Sequence, residues 1–136
     1  MVIREFKPTD SARLVEILER NGQYDFPEVE GPNAMQRFSE CESTIFLVAV
    51  INEKLCGLIR AIYDGSRAYI HLLSVDPDVQ RKGIGTRLVR EAEKRLAQMG
   101  APSAAVTVGE QSPGFWENLG YLQLPVRLHL KEKLGK

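Results

Sequence analysis

A chain of 136 residues, 43% hydrophobic and 26% charged, fits one domain and carries too much apolar content for a disordered chain. Its 18 basic and 18 acidic side chains cancel, which argues against a dedicated nucleic-acid binder. No run reaches the roughly 18 apolar residues of a membrane span, and the opening Met1-Val2-Ile3-Arg4-Glu5-Phe6 lacks a signal-peptide core, so a cytoplasmic location is expected. Residues 2–6 alternate and run up to Pro8, a first strand. Thr9 or Asp10 can cap a helix bearing Leu14, Val15, Ile17 and Leu18, and Asn21-Gly22 stops it. Residues 22–32 read as a loop holding Asp25, Glu28 and Glu30, anchored by Tyr24 and Phe26. Asn33 can cap a short second helix with Met35 and Phe38 on one face.

The period then changes. Residues 45–51 are a continuous apolar run rich in β-formers, a central strand. Asn52-Glu53 turns into a second strand at 54–62. Tyr63-Asp64-Gly65-Ser66 is a hairpin turn, because Asp-Gly tolerates positive φ. A third strand at 67–75 ends at Asp76-Pro77. Ile84, Leu88, Ala92, Leu96 and Met99 recur at helical spacing over 84–99, and Gly100 and Pro102 end that helix. Residues 104–108 form a short strand, Ser112-Pro113 opens a short helix that Gly120 ends, and 121–130 read as a terminal strand bent at Pro125. The order is β-α-α-β-β-β-α-β-α-β in one domain, 1–136, with no linker. Cys41 and Cys56 lack the spacing of a disulfide framework or metal site, so no metal is expected.

The chemistry concentrates at 75–86, Val-Asp-Pro-Asp-Val-Gln-Arg-Lys-Gly-Ile-Gly-Thr, between a strand and the long helix. Gly83 and Gly85 let the backbone approach a ligand. The helix start adds unpaired N–H groups and a partial positive charge, and together they suit a phosphate. Arg81, Lys82 and Arg87 add full charges. A Walker A loop would need Lys after its second Gly, where Thr86 stands. A dinucleotide fingerprint would need a small residue at Leu88 and an acid at the end of the next strand, and has neither.

Gln80-x-x-Gly83-x-Gly85, following a Val-x-Pro strand end, resembles the acetyl-CoA motif of the GNAT N-acetyltransferases. Phe115-Trp116-Glu117-Asn118-Leu119-Gly120-Tyr121 resembles the family's second signature, and the compact build is similar to small bacterial YpeA-type members. The resemblance covers essentially the whole chain. It implies an α/β (α+β) acyl-CoA N-acyltransferase fold, with a mixed, mostly antiparallel sheet flanked by helices. It implies acetyl-CoA as co-substrate, its pyrophosphate held by Gln80, Arg81, Lys82, Gly83, Ile84, Gly85 and Thr86. Pantetheine would pair with the bulged strand around Leu73, Ser74 and Val75, in the gap where that strand splays from 104–108. One N–H there would stabilise the oxyanion formed on direct attack by an amine.

His71 lies four residues before Val75, where many relatives place a Glu base, and an imidazole with pKa near 6.5 suits that role. The family's usual Tyr acid is replaced by Trp116, a neutral donor placed with the CoA-contacting residues, and its usual Asn by Gly109. Three readings stay open. The thiolate leaves unprotonated, or Tyr121 or Tyr69 protonates it, or the protein binds acyl-CoA with little catalysis.

The acceptor is expected to be a small-molecule or peptide amine, with no nucleic acid or membrane partner. The 121–130 strand could pair across a homodimer. The charge is also polarised: residues 1–57 hold ten acids and six bases, and 58–136 eight acids and twelve bases. The basic surplus lies at 80–95, beside the phosphate loop, and the acids lie where the acceptor amine is expected.

Overall fold

In the computed structural model, which describes residues 1–110 and 112–135, five strands form one sheet in the order β1-β2-β3-β4-β5. They are β1 (Val2–Glu5), β2 (Thr44–Ile51), β3 (Lys54–Tyr63), β4 (Ala68–Val75) and β5 (Ala105–Val106). The first four pair antiparallel, and β5 joins β4 in parallel. The helices are α1 (Ser11–Arg20), α2 (Pro27–Glu30), α3 (Pro32–Glu40), α4 (Ile84–Gln98) and α5 (Pro113–Asn118). The expected mixed, mostly antiparallel sheet with flanking helices is present. The chain forms two compact units, Met1–Val106 and Thr107–Lys136.

The hairpin turns follow from local chemistry. Asn52 and Glu53 both take positive φ, 49° and 65°, the twist that closes a two-residue hairpin. At the next turn the Asp64 carboxylate accepts the N–H groups of Ser66 and Arg67, each at 2.7 Å.

One core lies between the sheet and α1 and α3. It contains Phe6, Leu14, Ile17, Leu18, Met35, Phe46, Val48 and Leu58, with Phe6 and Phe46 stacked at 4.2 Å. Leu14, Ile17 and Leu18 have no exposed surface, and each such burial stabilises by about 2 kcal/mol. The helix α4 buries Ile84, Leu88, Val89, Ala92 and Leu96. Its close approach requires Gly57 on β3, where a Cβ would lie 3.2 Å from Leu88 Cδ1 and 3.1 Å from the Ser74 carbonyl oxygen.

Several expected boundaries move. The second helix begins at Pro32 with Gly31 before it, not at an Asn33 cap, because Pro suits the first helical position. The presumed loop at 22–32 contains α2. The strand expected at 104–108 shrinks to β5, and none forms at 121–130. Alternation supplies a face, but a strand also needs a ladder partner, and none pairs with 121–130 among the described residues.

The β3–β4 ladder carries one irregularity. Ala61 pairs with Ile70 and Arg60 with Leu72, so His71 is an extra residue on β4. Such a bulge re-aims a side chain and locally interrupts pairing.

Candidate active site

The end of β4 is fixed by a buried carboxylate. The Asp76 N–H donates to the Cys56 carbonyl at 2.8 Å. Its side chain accepts from the Asp78 N–H at 3.0 Å, from Arg20 Nη1 at 2.8 Å and from Arg13 Nη2. Arg20 also binds Asp78 at 2.9 Å, and Arg13 Nε donates to the Leu55 carbonyl at 3.2 Å. Burial would raise the Asp76 pKa, but the Asp78 N–H and the two guanidiniums hold it below the usual carboxylate range. Two arginines of α1 thereby clamp the turn that leads into the Gly83–Gly85 loop.

In that loop Arg81 and Gly83 adopt left-handed backbone, φ 66° and 79°. Such a conformation is uncommon outside glycine. The first α4 turn closes with the Arg87 N–H on the Gly83 carbonyl at 3.1 Å. The N–H groups of Ile84, Gly85 and Thr86 precede it and have no helical acceptor. Among the described residues Arg81, Lys82 and Arg87 make no ion pair, whereas Arg90 and Arg95 do. Open donors, a helix start and three cations thus converge on 81–87, an arrangement that attracts a polyanion.

The β4 edge opens beside this loop. Its pairing with β5 covers Tyr69 and Ile70 alone, so His71 to Val75 have no strand on that side among the described residues. Side-chain amides reach the exposed backbone. Gln23 Nε2 donates to the Leu73 carbonyl at 3.2 Å, and Asn21 Nδ2 and Gln80 Nε2 donate to the Val75 carbonyl at 2.8 and 2.9 Å. Asn21 Nδ2 also donates to Ser74 Oγ at 2.7 Å. The Gln80 side chain therefore turns back onto β4. Gln23 Oε1 is buried with no hydrogen-bond donor in the described structure, an open acceptor beside the gap. The Val75 carbonyl thereby uses both lone pairs, whereas the Leu73 carbonyl keeps a second one for a ligand.

On the α3 side of the sheet, the bulge residue His71 contacts two rings, with its centroid 5.4 Å from Phe38 and 5.4 Å from Tyr69. Arg60, buried on β3, stacks its guanidinium 4.3 Å from the Phe38 centroid, a favourable cation–π contact. Its Nη1 donates to Glu30 of α2 at 2.9 Å, while Arg60 Nε has no partner. His71 is exposed at the surface, but partial desolvation by these neighbours lowers its pKa below the ordinary 6.5, and the Arg60 charge lowers it further. Burial raises the Glu30 pKa against the opposing pull of Arg60. The imidazole is thus neutral near pH 7 and able to accept a proton.

In the second unit, α5 opens with Pro at its first position. Trp116 packs edge-on against Phe115 and Tyr121, each centroid 5.2 Å away.

The sequence model of the acetyltransferase (GNAT) family matches residues 12–121. The chain belongs to this family. Solved structures similar to this GNAT chain include an aminoglycoside 6'-acetyltransferase type Ii, 28% identical, with 90% of this chain and 83% of that one covered and a TM-score of 0.74. A PaiA N-acetyltransferase from Thermoplasma acidophilum in complex with coenzyme A is 20% identical, over 88% and 86% of the two chains, TM-score 0.74. A transcriptional regulator from Bacillus halodurans C-125 is 24% identical, over 95% and 99%, TM-score 0.78. The last two share the GNAT fold.

Among the described residues of this GNAT chain, no helix is long and apolar enough to cross a membrane. No cluster of His, Cys, Asp and Glu there could hold a metal. The site also contains residues that the sequence reading passed over: Asn21, Gln23 and Arg60. A signal existed for Arg60, a charge set between Ile59 and Ala61 in mid-strand. The two amides carried none, because their partners are backbone carbonyls fifty residues away in sequence.

Proposed function

We propose that this chain acts as a single transferase domain over residues 1–136 and moves the acetyl group of acetyl-CoA to a primary amine. The observation that carries the reading is the departure of β4 from β5 after Ile70, directly ahead of an anion-attracting loop at the start of α4. Pantetheine is an extended, amide-bearing chain, so an open strand edge with a spare lone pair at Leu73 and an unpartnered acceptor at Gln23 Oε1 suits it. The pyrophosphate is assigned to the N–H groups of Gly83 to Thr86, with Gln80 shaping the turn and Arg81 and Lys82 adding charge.

In this reading His71 takes the proton from the attacking ammonium, and the amine then adds to the thioester carbonyl. A backbone N–H in Leu73–Val75 stabilises the developing oxyanion. The tetrahedral adduct gives up its second nitrogen proton to solvent and collapses to an amide and a CoA thiolate. An ordinary thiol pKa near 8.5 lets that thiolate leave without an acid; Tyr121 is the alternative donor, and Trp116 serves as packing beside CoA. The acceptor is proposed to be a small-molecule or peptide amine met in the cytoplasm, without nucleic acid, membrane or metal. An aminoglycoside acetyltransferase among the similar structures supports a small cationic acceptor.

One observation favours a second reading, a non-catalytic acyl-CoA-binding module: Trp116 occupies the signature position and offers no transferable proton. The deciding experiment incubates the chain with acetyl-CoA and a panel of polyamines, aminoglycosides, amino acids and peptides while free CoA is followed. Acceptor-dependent CoA release supports transfer. A rise in Tm with acetyl-CoA, without release for any amine, supports the binding module.

A further inference from the structure

Arg60 is a charge set in the middle of β3. Its side chain is 7% exposed, and Leu72 stands opposite it in the β3–β4 ladder, next to the bulge at His71. Among the described residues its guanidinium makes one hydrogen bond, from Nη1 to Glu30 Oε2 at 2.9 Å. Nε is buried without a partner, and Nη2 has none among the described residues. Nε and Nη2 form one edge of the guanidinium, whose two parallel N–H groups fit a carboxylate. A buried donor left unpaired is costly, so an open edge on a buried cation calls for an anion. Gln23 Oε1, also buried without a partner, lies at the β4 edge assigned to pantetheine. Arg60 Nε has no such assignment.

Phe38 sets the reach of this edge. Its ring centroid is 4.3 Å from the guanidinium carbon and 5.4 Å from the His71 ring centroid. The guanidinium and the imidazole are therefore no farther apart than these two steps together. The cluster opens to solvent at His71, which is exposed, and beside Glu30, which is half-buried.

We propose that the acceptor is a free α-amino acid, its carboxylate received by the Nε–Nη2 edge of Arg60 while its amine faces His71. This narrows the amine of the proposed transfer and rests on that reading. An α-amino acid carries both groups on one carbon, and charge-assisted hydrogen bonds of about 2.7–2.9 Å at each end bridge the span. Glu30 binds the guanidinium through Nη1 and leaves the fork free. As a second carboxylate on the same cation it also weakens the pull on an incoming anion. A polycation brings no anion for this edge and is repelled by Arg60. An amino-acid amide keeps the amine but loses the charge that the edge recognises. In the transfer the thioester C–S bond breaks and an amide C–N bond forms. One amine proton goes to His71 and a second to solvent, CoA leaves as the thiolate, and the carboxylate passes unchanged into an N-acetyl amino acid.

The full chain is given acetyl-CoA with the standard amino acids, each beside its carboxamide, and free CoA is followed. For at least one amino acid, kcat/KM is expected to exceed that of its amide by about 100-fold or more, because a site built for a polar group rejects the analogue that lacks it. Arg60→Gln is expected to bring this acid-to-amide ratio near unity. Arg60→Lys keeps the charge without the fork and is expected to fall between. Glu30→Gln removes the competing carboxylate and is expected to raise the ratio at least about threefold. A purely structural Arg60 would lower acid and amide together and leave the ratio alone. If Arg60→Gln fails to fold, Arg60→Lys and Glu30→Gln carry the test. Binding is read separately by Tm with CoA present: the amino acid is expected to raise it, its amide is not, and Arg60→Gln is expected to lose the rise. Amides turned over as fast as acids, transfer confined to polyamines or aminoglycosides, or a ratio unmoved by either Arg60→Gln or Glu30→Gln overturns the amino-acid site and leaves the transfer reading standing. No CoA release with any amine overturns the transfer reading; a carboxylate-dependent rise in Tm then still upholds the anion site, and its absence overturns it.

Discussion

Replacing Asp76 by Asn keeps the size of a buried side chain and removes its charge. The carboxylate is 3% exposed and accepts from the Asp78 N–H, Arg13 and Arg20. Hydrogen bonds to charged groups contribute about 1.5–3 kcal/mol each, and breaking a buried pair costs about 3–5 kcal/mol. Arg13 keeps 23% of its side chain in water, which discounts the second figure. A loss of roughly 2–3 kcal/mol follows, and at roughly 3 °C per kcal/mol for a chain of this size the Tm falls by about 6–9 °C. Thermal melts at pH 7 by circular dichroism read this directly. Asp78→Asn is the control, because its side chain is 68% exposed, and its Tm should stay near wild type. The pH dependence provides a second test. The folded Asp76 pKa lies below its ordinary 3.8, so its stabilisation is complete above 3.8 and disappears as the pH falls through the lower folded value. Asp76→Asn should therefore flatten the acid side of the stability curve. Equal melting of the two variants would refute the clamp.

Three further outcomes test the site. Gly85→Glu should abolish the acetyl-CoA-induced rise in Tm while the apo protein melts near wild type, because a carboxylate then stands beside the proposed pyrophosphate; an undiminished rise contradicts the loop assignment. His71→Ala should lower kcat/KM by about 100-fold or more and remove its acidic limb, and Arg60→Gln should move that limb to higher pH by lifting a charge that depresses the His71 pKa; an unmoved limb in both removes His71 from proton transfer. Gly31→Ala drives a Cβ into the Pro27 carbonyl oxygen, so urea denaturation should show a loss of about 1–3 kcal/mol; wild-type stability would show that the α2–α3 corner yields freely.

Much of the sheet was legible because its strands announce themselves in apolar runs and its turns in Asn52-Glu53 and Asp64-Gly65. The Gly83–Gly85 loop was legible because backbone freedom and charge coincide in one short stretch. The 121–130 strand misled because alternation describes a face and says nothing about the ladder beside it. Net charge misled in a related way. Arg60 counts toward the basic surplus, yet it is buried on Glu30, and Asp10 is taken by Arg4 at 2.9 Å. Part of the apparent polarity is therefore internal pairing, whereas Arg81, Lys82 and Arg87 remain outside the ion pairs among the described residues. Of the five acids near the proposed acceptor side, Asp25, Glu28, Glu40 and Glu42 are exposed and Glu30 is not. Only long-range packing separates them.

The bulge at His71 makes this residue separable from the architecture around it. Ile70 already faces Ala61 and Leu72 already faces Arg60, so a chain shortened by residue 71 alone would pass from one pair to the next without changing the face of any other β4 side chain. Every other position in that strand is answerable to the ladder. This one is surplus to it, free to vary in chemistry at little cost to the sheet, and a deletion there would leave the scaffold while taking away the imidazole.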